Sequence, residues 1–174
     1  MKKIYILSTY TGTWFSRFLA LFSSDKFVHM SISLDEDFTE VYSFGRKNPK
    51  RMFPAGFTKE NLKLISTYYS DSLTRVYELD ITEKQYDNLI KILKETFIDN
   101  ASKYRYNIKG LPMINFNLRY HRKYHFVCSQ FCGKLLSDAG IHEFNKDYSL
   151  IKPNDLISIE DLKLIYEGKI KDII

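Results

Sequence analysis

Two side chains in this sequence have the type and setting for nucleophilic chemistry. Cys128 lies in Tyr124-His125-Phe126-Val127-Cys128-Ser129-Gln130-Phe131-Cys132-Gly133-Lys134-Leu135-Leu136, where a short apolar run gives way to helical spacing. A cysteine in the first turn of a helix feels the positive end of the macrodipole, which favours thiolate over thiol. His29 lies far upstream in Phe27-Val28-His29-Met30-Ser31-Ile32-Ser33-Leu34. An imidazole that takes the thiol's proton gives a thiolate–imidazolium pair able to attack a carbonyl, and such partners are adjacent in space rather than in sequence. The Cys128 N–H is a candidate oxyanion donor, with Ser129 and Tyr10 as candidate cleft residues. Cys132, one turn deeper, reads as a core thiol. On composition alone Cys128 reads the same way, so the case rests on pattern.

The elements that must position this pair are legible from periodicity. Val28, Met30, Ile32 and Leu34 alternate with His29, Ser31 and Ser33, which predicts a strand with one apolar and one polar face. Asp35-Glu36-Asp37 predicts a turn and Thr39 to Phe44 the returning strand of a hairpin. Lys3 to Ser8 predicts an N-terminal strand, followed by a turn at Thr9 to Thr13, with Thr13 as N-cap of a short apolar helix carrying Trp14, Phe15, Phe18, Leu19, Leu21 and Phe22. Residues 45 to 57, with Gly45, Pro49, Pro54 and Gly56, read as loop. Leu73 to Ile81 predicts a strand. Thr82 and Gln85 form a capping box ahead of a helix whose inner face is Tyr86, Leu89, Ile90, Leu93 and Phe97. The stretch 104 to 119 suggests a short helix with a loop. The Cys128 helix should run to about Asp138 with Phe131, Leu135, Leu136 and Ala139 inward and Gly140 at its end. A turn begins at Pro153, and a small hairpin around Glu167-Gly168 closes the chain. No repeat or linker divides it, so residues 1 to 174 read as one α+β domain.

The bulk numbers bound the rest. At 174 residues the chain can bury a real core. Its net charge of +5 predicts a surface attractive to anions. Arg46, Lys47, Lys50 and Arg51 form one basic cluster and are a candidate anion site; Arg119, Arg122 and Lys123 belong to another. No nucleic-acid motif accompanies them, so no specific nucleic acid is expected. Two cysteines on successive turns of one helix are badly placed for a disulfide, and free thiols fit a cytoplasmic setting. The start Met1-Lys2-Lys3 is not followed by a clean signal-peptide core, and no 18-residue apolar run predicts a transmembrane segment.

Three pieces together resemble the circularly permuted papain-like enzymes, the group that includes YiiX-like NlpC-type cysteine peptidases and lecithin retinol acyltransferase-like proteins. They are the strand with a Thr11-Gly12-Thr13 turn near the N-terminus, the His29-Met30-Ser31-Ile32-Ser33-Leu34 strand, and the late Phe126-Val127-Cys128-Ser129-Gln130-Phe131 helix start. His29 precedes Cys128, the order that permutation requires. The tail, Lys152-Pro153-Asn154-Asp155-Leu156 and Ile165-Tyr166-Glu167-Gly168-Lys169, is similar to the closing segment of bacterial YiiX-like members. The resemblance leaves out residues 45 to 72 and 100 to 122.

It implies a small antiparallel sheet packed against the nucleophile's helix, with Cys128 as nucleophile and His29 as general base. It also implies a polar residue on the next strand that orients the imidazole. With a turn centred on Glu36, Ser43 falls opposite His29 on the same face. Glu40 has the better chemistry, because a carboxylate stabilises imidazolium, but that register places it on the other face unless a bulge intervenes. Ser43 therefore ranks ahead of Glu40. The competing constellation is metal: His121, His125 and Cys128 at i, i+4 and i+7 would align if the helix began earlier, but the residues between them read as strand or loop and no Cys-x-x-Cys pair supports zinc. The expectation is a cysteine hydrolase without cofactor or metal that cleaves an amide or ester in a peptide, cell-wall fragment or acylated small molecule. A lipid acyltransferase or thioesterase, and a catalytically weak binding module for an anionic or acylated ligand, are the alternatives.

Overall fold

Ile4, Tyr5, Ile6 and Leu7 are all buried although successive strand residues point to opposite faces, so Lys2–Tyr10 (β1) must be covered on both sides. The computed structural model, which describes residues 1–13, 16–17, 20–21, 25–48, 50–51 and 53–174, places β1 inside a six-stranded antiparallel sheet. The following elements are His29–Ser33 (β2), Val41–Arg46 (β3), Ala55–Glu60 (β4), Leu62–Tyr68 (α1) and Leu73–Ile81 (β5). Glu83–Ile92 (α2) continues into a π-helical segment, Leu93–Ile98. Arg105–Tyr106 (β6), Gly110–Asn115 (α3), His125–Phe126 (β7), Cys128–Asp138 (α4), Pro153–Ile157 (α5) and Lys163–Lys169 (β8) complete the chain. The sheet order is β4-β3-β2-β1-β5-β8, and β6 and β7 form a separate short parallel pair. The fold is α+β.

The two sheet faces carry different loads. On one, Ile4, Ile6, Met30, Ile32, Phe44 and Phe57 pack against Phe131, Leu135 and Leu136 of α4 and against Leu89, Leu93 and Phe97. Phe97 and Phe131 meet edge to face at 4.9 Å between ring centroids, within a cluster that also holds Phe44 and Phe57. This face holds the main core and fixes α4 across β2 and β3. The other face carries the smaller cluster of Tyr5, Leu7, Val41, Val76, Leu62 of α1 and Ile170.

Three expectations change. The 45–57 stretch is not all loop: β3 extends through Gly45 and Arg46, and β4 begins at Ala55 and pairs with it, Gly45 opposite Gly56. Gly56 lets β6 approach, since a Cβ there would lie 2.4 Å from the Tyr104 carbonyl oxygen. The closing hairpin is instead one strand, β8, paired with β5. Third, β2 and β3 pair as Ile32 to Tyr42 and Ser33 to Val41, which centres the turn on Asp37 rather than Glu36. The Asp35 carboxylate accepts the Thr39 and Glu40 N–H groups, and Phe38 adopts a positive φ of 54°, so the turn is one residue longer on each arm than a simple reversal. Elsewhere Thr82 and Gln85 cap α2 reciprocally, and Gly140 ends α4 with φ of 70°. Thr13 Oγ1 accepts the Ser16 N–H as an N-cap would; of the apolar residues expected to follow, Leu21 is exposed, while Trp14, Phe15, Phe18, Leu19 and Phe22 lie outside the described residues. No helix among the described residues is long and apolar enough to cross a membrane.

Candidate active site

The start of α4 is pinned by its own polar side chains. Gln130 Oε1 accepts the Val127 N–H at 2.9 Å, one of the donors that a helix start leaves without an intrahelical partner, and Gln130 Nε2 donates to the Ser149 carbonyl at 2.9 Å. Ser129 Oγ donates to the Ile151 carbonyl at 2.7 Å. Gly133 brings the same segment against the helix, since a Cβ there would lie 2.4 Å from Ile151 Cδ1. All three polar groups are buried, so each bond is costly to lose. Together they fix where the Cys128 side chain enters the sheet.

It enters at a gap. The β2–β3 ladder pairs only at Ile32 and Ser33, leaving the backbone of residues 28 to 31 without β3 as its partner. Side chains take over that role. Ser43 Oγ donates to the Met30 carbonyl at 2.6 Å, the Met30 N–H donates to Cys128 Sγ, and the thiol lies 3.7 Å from the Val28 carbonyl. The thiol therefore occupies a slot on the edge of β2, next to His29. This explains why Ser43 is not the orienting residue: in the observed register it falls opposite Ser31, and its hydroxyl repairs the strand gap. Glu40 is not the orienter either. It sits at the far end of the hairpin, where it pairs with Lys59 at 2.5 Å and accepts from the Tyr42 hydroxyl.

The group that holds His29 is Glu60, the last residue of β4. His29 Nε2 donates to Glu60 Oε1 at 2.5 Å, and both side chains are largely buried. The imidazole reaches over β3 to do so, and Gly45 makes the crossing possible: a Cβ at that position would stand 3.0 Å from His29 Cε1 and 3.7 Å from Glu60 Oε1. With Nε2 engaged by Glu60, Nδ1 is the nitrogen left for Cys128, whose thiol and the imidazole are hydrogen-bonded. The three side chains form a relay from β4 through β2 to the helix N-terminus.

The electrostatics follow from that order. Burial works against a charged His29, but the Glu60 carboxylate and the hydrogen bonds to Cys128 and Glu60 outweigh it and raise its pKa to about 10. Burial likewise opposes a Cys128 thiolate. The hydrogen bond and positive charge of His29, with the N–H groups of Met30 and Ser129, reverse the balance and hold the thiol below its ordinary value. The two shifts work together, each favouring the charged thiolate–imidazolium form of the pair. Cys132 has the same burial without the imidazole, and its thiol is pushed well above the ordinary value. Tyr106, on β6, brings a buried side chain up to Cys128, and burial followed by the thiolate's charge raises its pKa well above normal.

The remaining candidates fall in different places. Ser129 contributes its N–H rather than its hydroxyl, which is spent on Ile151. Tyr10 is half-buried at the end of β1 and, since Thr9 pairs with His29, alternates to the opposite face from that imidazole. Arg46 and Lys47 line a cavity of about 120 Å³ that also reaches His29, Gly45 and Glu60. Arg46 lies over the Tyr69 ring and exposed Lys50 over Tyr68, while Arg51 is exposed. The histidines of the metal reading are dispersed: His121 pairs with Asp147 at 2.7 Å, and His125 Nδ1 bonds the Lys123 carbonyl from β7, outside any helix. No cluster of metal-ligating side chains occurs among the described residues. Sequence reasoning missed Glu60, Gly45 and Tyr106. The usable signal for Glu60 was the alternation of Ala55, Phe57 and Lys59 with Gly56, Thr58 and Glu60, a strand hidden by its glycine and the preceding Pro54. No family model, curated protein or solved structure matches the chain.

Proposed function

We propose that this protein is a cysteine acyl hydrolase of the permuted papain-like type, cleaving an amide or ester. The observation that carries the reading is the Glu60–His29–Cys128 relay, in which a buried carboxylate holds the imidazole that holds the thiolate. In the first half-reaction Cys128 Sγ attacks the carbonyl carbon, forming an S–C bond and a tetrahedral oxyanion. The helix-start N–H of Cys128 and the Tyr106 hydroxyl are the donors this reading assigns to that oxygen. Collapse breaks the bond to the leaving nitrogen or oxygen, which takes the proton from the His29 imidazolium. In the second half-reaction neutral His29 accepts a proton from water as the hydroxide adds to the thioester. The S–C bond then breaks, releasing the carboxylic acid and restoring the thiolate. Glu60 keeps accepting from His29 Nε2, so that Nδ1 faces the sulfur.

The test is turnover of p-nitrophenyl acetate with pre-steady-state observation. A burst of nitrophenol equal to the enzyme, together with a mass increase of one acetyl group on the peptide that contains Cys128, is the expected result. Hydrolysis that continues undiminished in Cys128→Ala would overturn the reading.

A further inference from the structure

Cys128 lines a cleft between β6, α3 and the start of α4 to which neither His29 nor Glu60 contributes. Its walls are Val28, Leu111, Ile114 and Val127, each buried, with the Tyr106 hydroxyl and the Cys128 side chain completing it. The one charged residue lining it, Lys152, is exposed. The cavity beside His29, lined by Arg46, Lys47 and Lys59, has a different character, so the spaces next to the base and next to the nucleophile differ chemically. Whatever acylates Sγ must place its carbonyl carbon on the sulfur, and the space beside the sulfur is apolar.

The cleft, which opens to solvent, offers about 40 Å³. One water needs about 10–15 Å³ on the same measure, so the space holds roughly three water-sized groups, about the size of a three- or four-carbon chain. A longer chain must either run out of the cleft with its apolar end in solvent or displace Leu111 or Ile114, both packed in the main core.

We infer that this cleft is the acyl pocket of the enzyme and that it takes a short apolar acyl group, excluding long chains. The inference rests on the reading of Cys128 as nucleophile, but it can be probed without turnover. Alkyl methanethiosulfonates transfer an alkylthio group to a thiolate: the sulfur–sulfur bond to Cys128 forms, the bond to the sulfonyl group breaks, and methanesulfinate leaves. Methyl, propyl and octyl reagents, applied to the full chain and normalised to N-acetylcysteine, measure the pocket by rate. Propyl should react at least as fast as methyl, and octyl about tenfold or more slowly. Leu111→Ala and, separately, Ile114→Ala should restore much of the octyl rate. Octyl reacting as fast as propyl in the unaltered protein would overturn the pocket, with no variant needed. Because these reagents require no hydrolysis, a chain-length cut-off without ester turnover supports the pocket and counts against the hydrolase alone. A flat series with a normal acyl burst does the reverse.

Discussion

Cys128 and Cys132 are one turn apart on the same helix, equally buried, and opposite in chemistry. Helix register and desolvation treat them alike. The difference lies in what faces each sulfur. Cys132 is enclosed in the aromatic and aliphatic core, where burial favours the neutral thiol. Cys128 is enclosed where a sheet ladder has opened, so the Met30 N–H and an imidazole backed by Glu60 point at it. Burial without a partner makes a cysteine inert, and burial beside a held cation makes a nucleophile.

The contrast can be broken in order of effect. Cys128→Ala should abolish acyl transfer, a loss of roughly 10³-fold or more in kcat/KM, while Cys132→Ala should keep it within about threefold. Glu60→Gln comes next: with the carboxylate gone the imidazolium loses its main support, and the acylation rate should fall on the order of 10²-fold. The Cys128 pKa should move up toward that of an ordinary thiol, as titration of thiolate absorbance would show. A merely structural Glu60 would leave that pKa in place. Gly45→Ala should be milder, about tenfold, since its methyl must push the imidazole off its path by a few tenths of an ångström; its circular dichroism should be unchanged. Ser43→Ala should cost about 1–2 kcal/mol of stability in urea denaturation by leaving the Met30 carbonyl unbonded, with the smallest effect on rate.

The pH dependence has a definite sign. Depression of the Cys128 pKa means that reactivity is present above the folded thiol's value and is lost as pH falls through it. Elevation of the His29 pKa to about 10 means that the imidazolium needed by the leaving group is present below that value and is lost as pH rises through it. Acylation should therefore show a plateau across neutral pH with both limbs displaced outward from the free side-chain values, and Glu60→Gln should narrow it from both sides.

What was legible in the sequence was local. The alternation around His29 and the apolar stripe of α4 each lie within one element, where periodicity reports directly on burial. What was not legible depended on how elements meet. The hairpin register hinges on Asp35 capturing the Thr39 and Glu40 N–H groups, which shifts the residue facing His29 from Ser43 to Gly45. Glu60 lies on a strand whose glycine and preceding proline look like loop, yet that region needs small residues where β6 and the imidazole approach. Tyr106 belongs to a two-residue strand too short for any periodic signal.

The most direct measurement follows iodoacetamide alkylation of the two cysteines against pH, resolved by peptide mass spectrometry. Cys128 should label rapidly with a midpoint below that of N-acetylcysteine, while Cys132 in the folded protein stays unlabelled throughout the neutral range. Slow labelling of both at equal rates, or a Cys128 midpoint at or above that of the free thiol, would contradict the buried thiolate on which the functional reading depends.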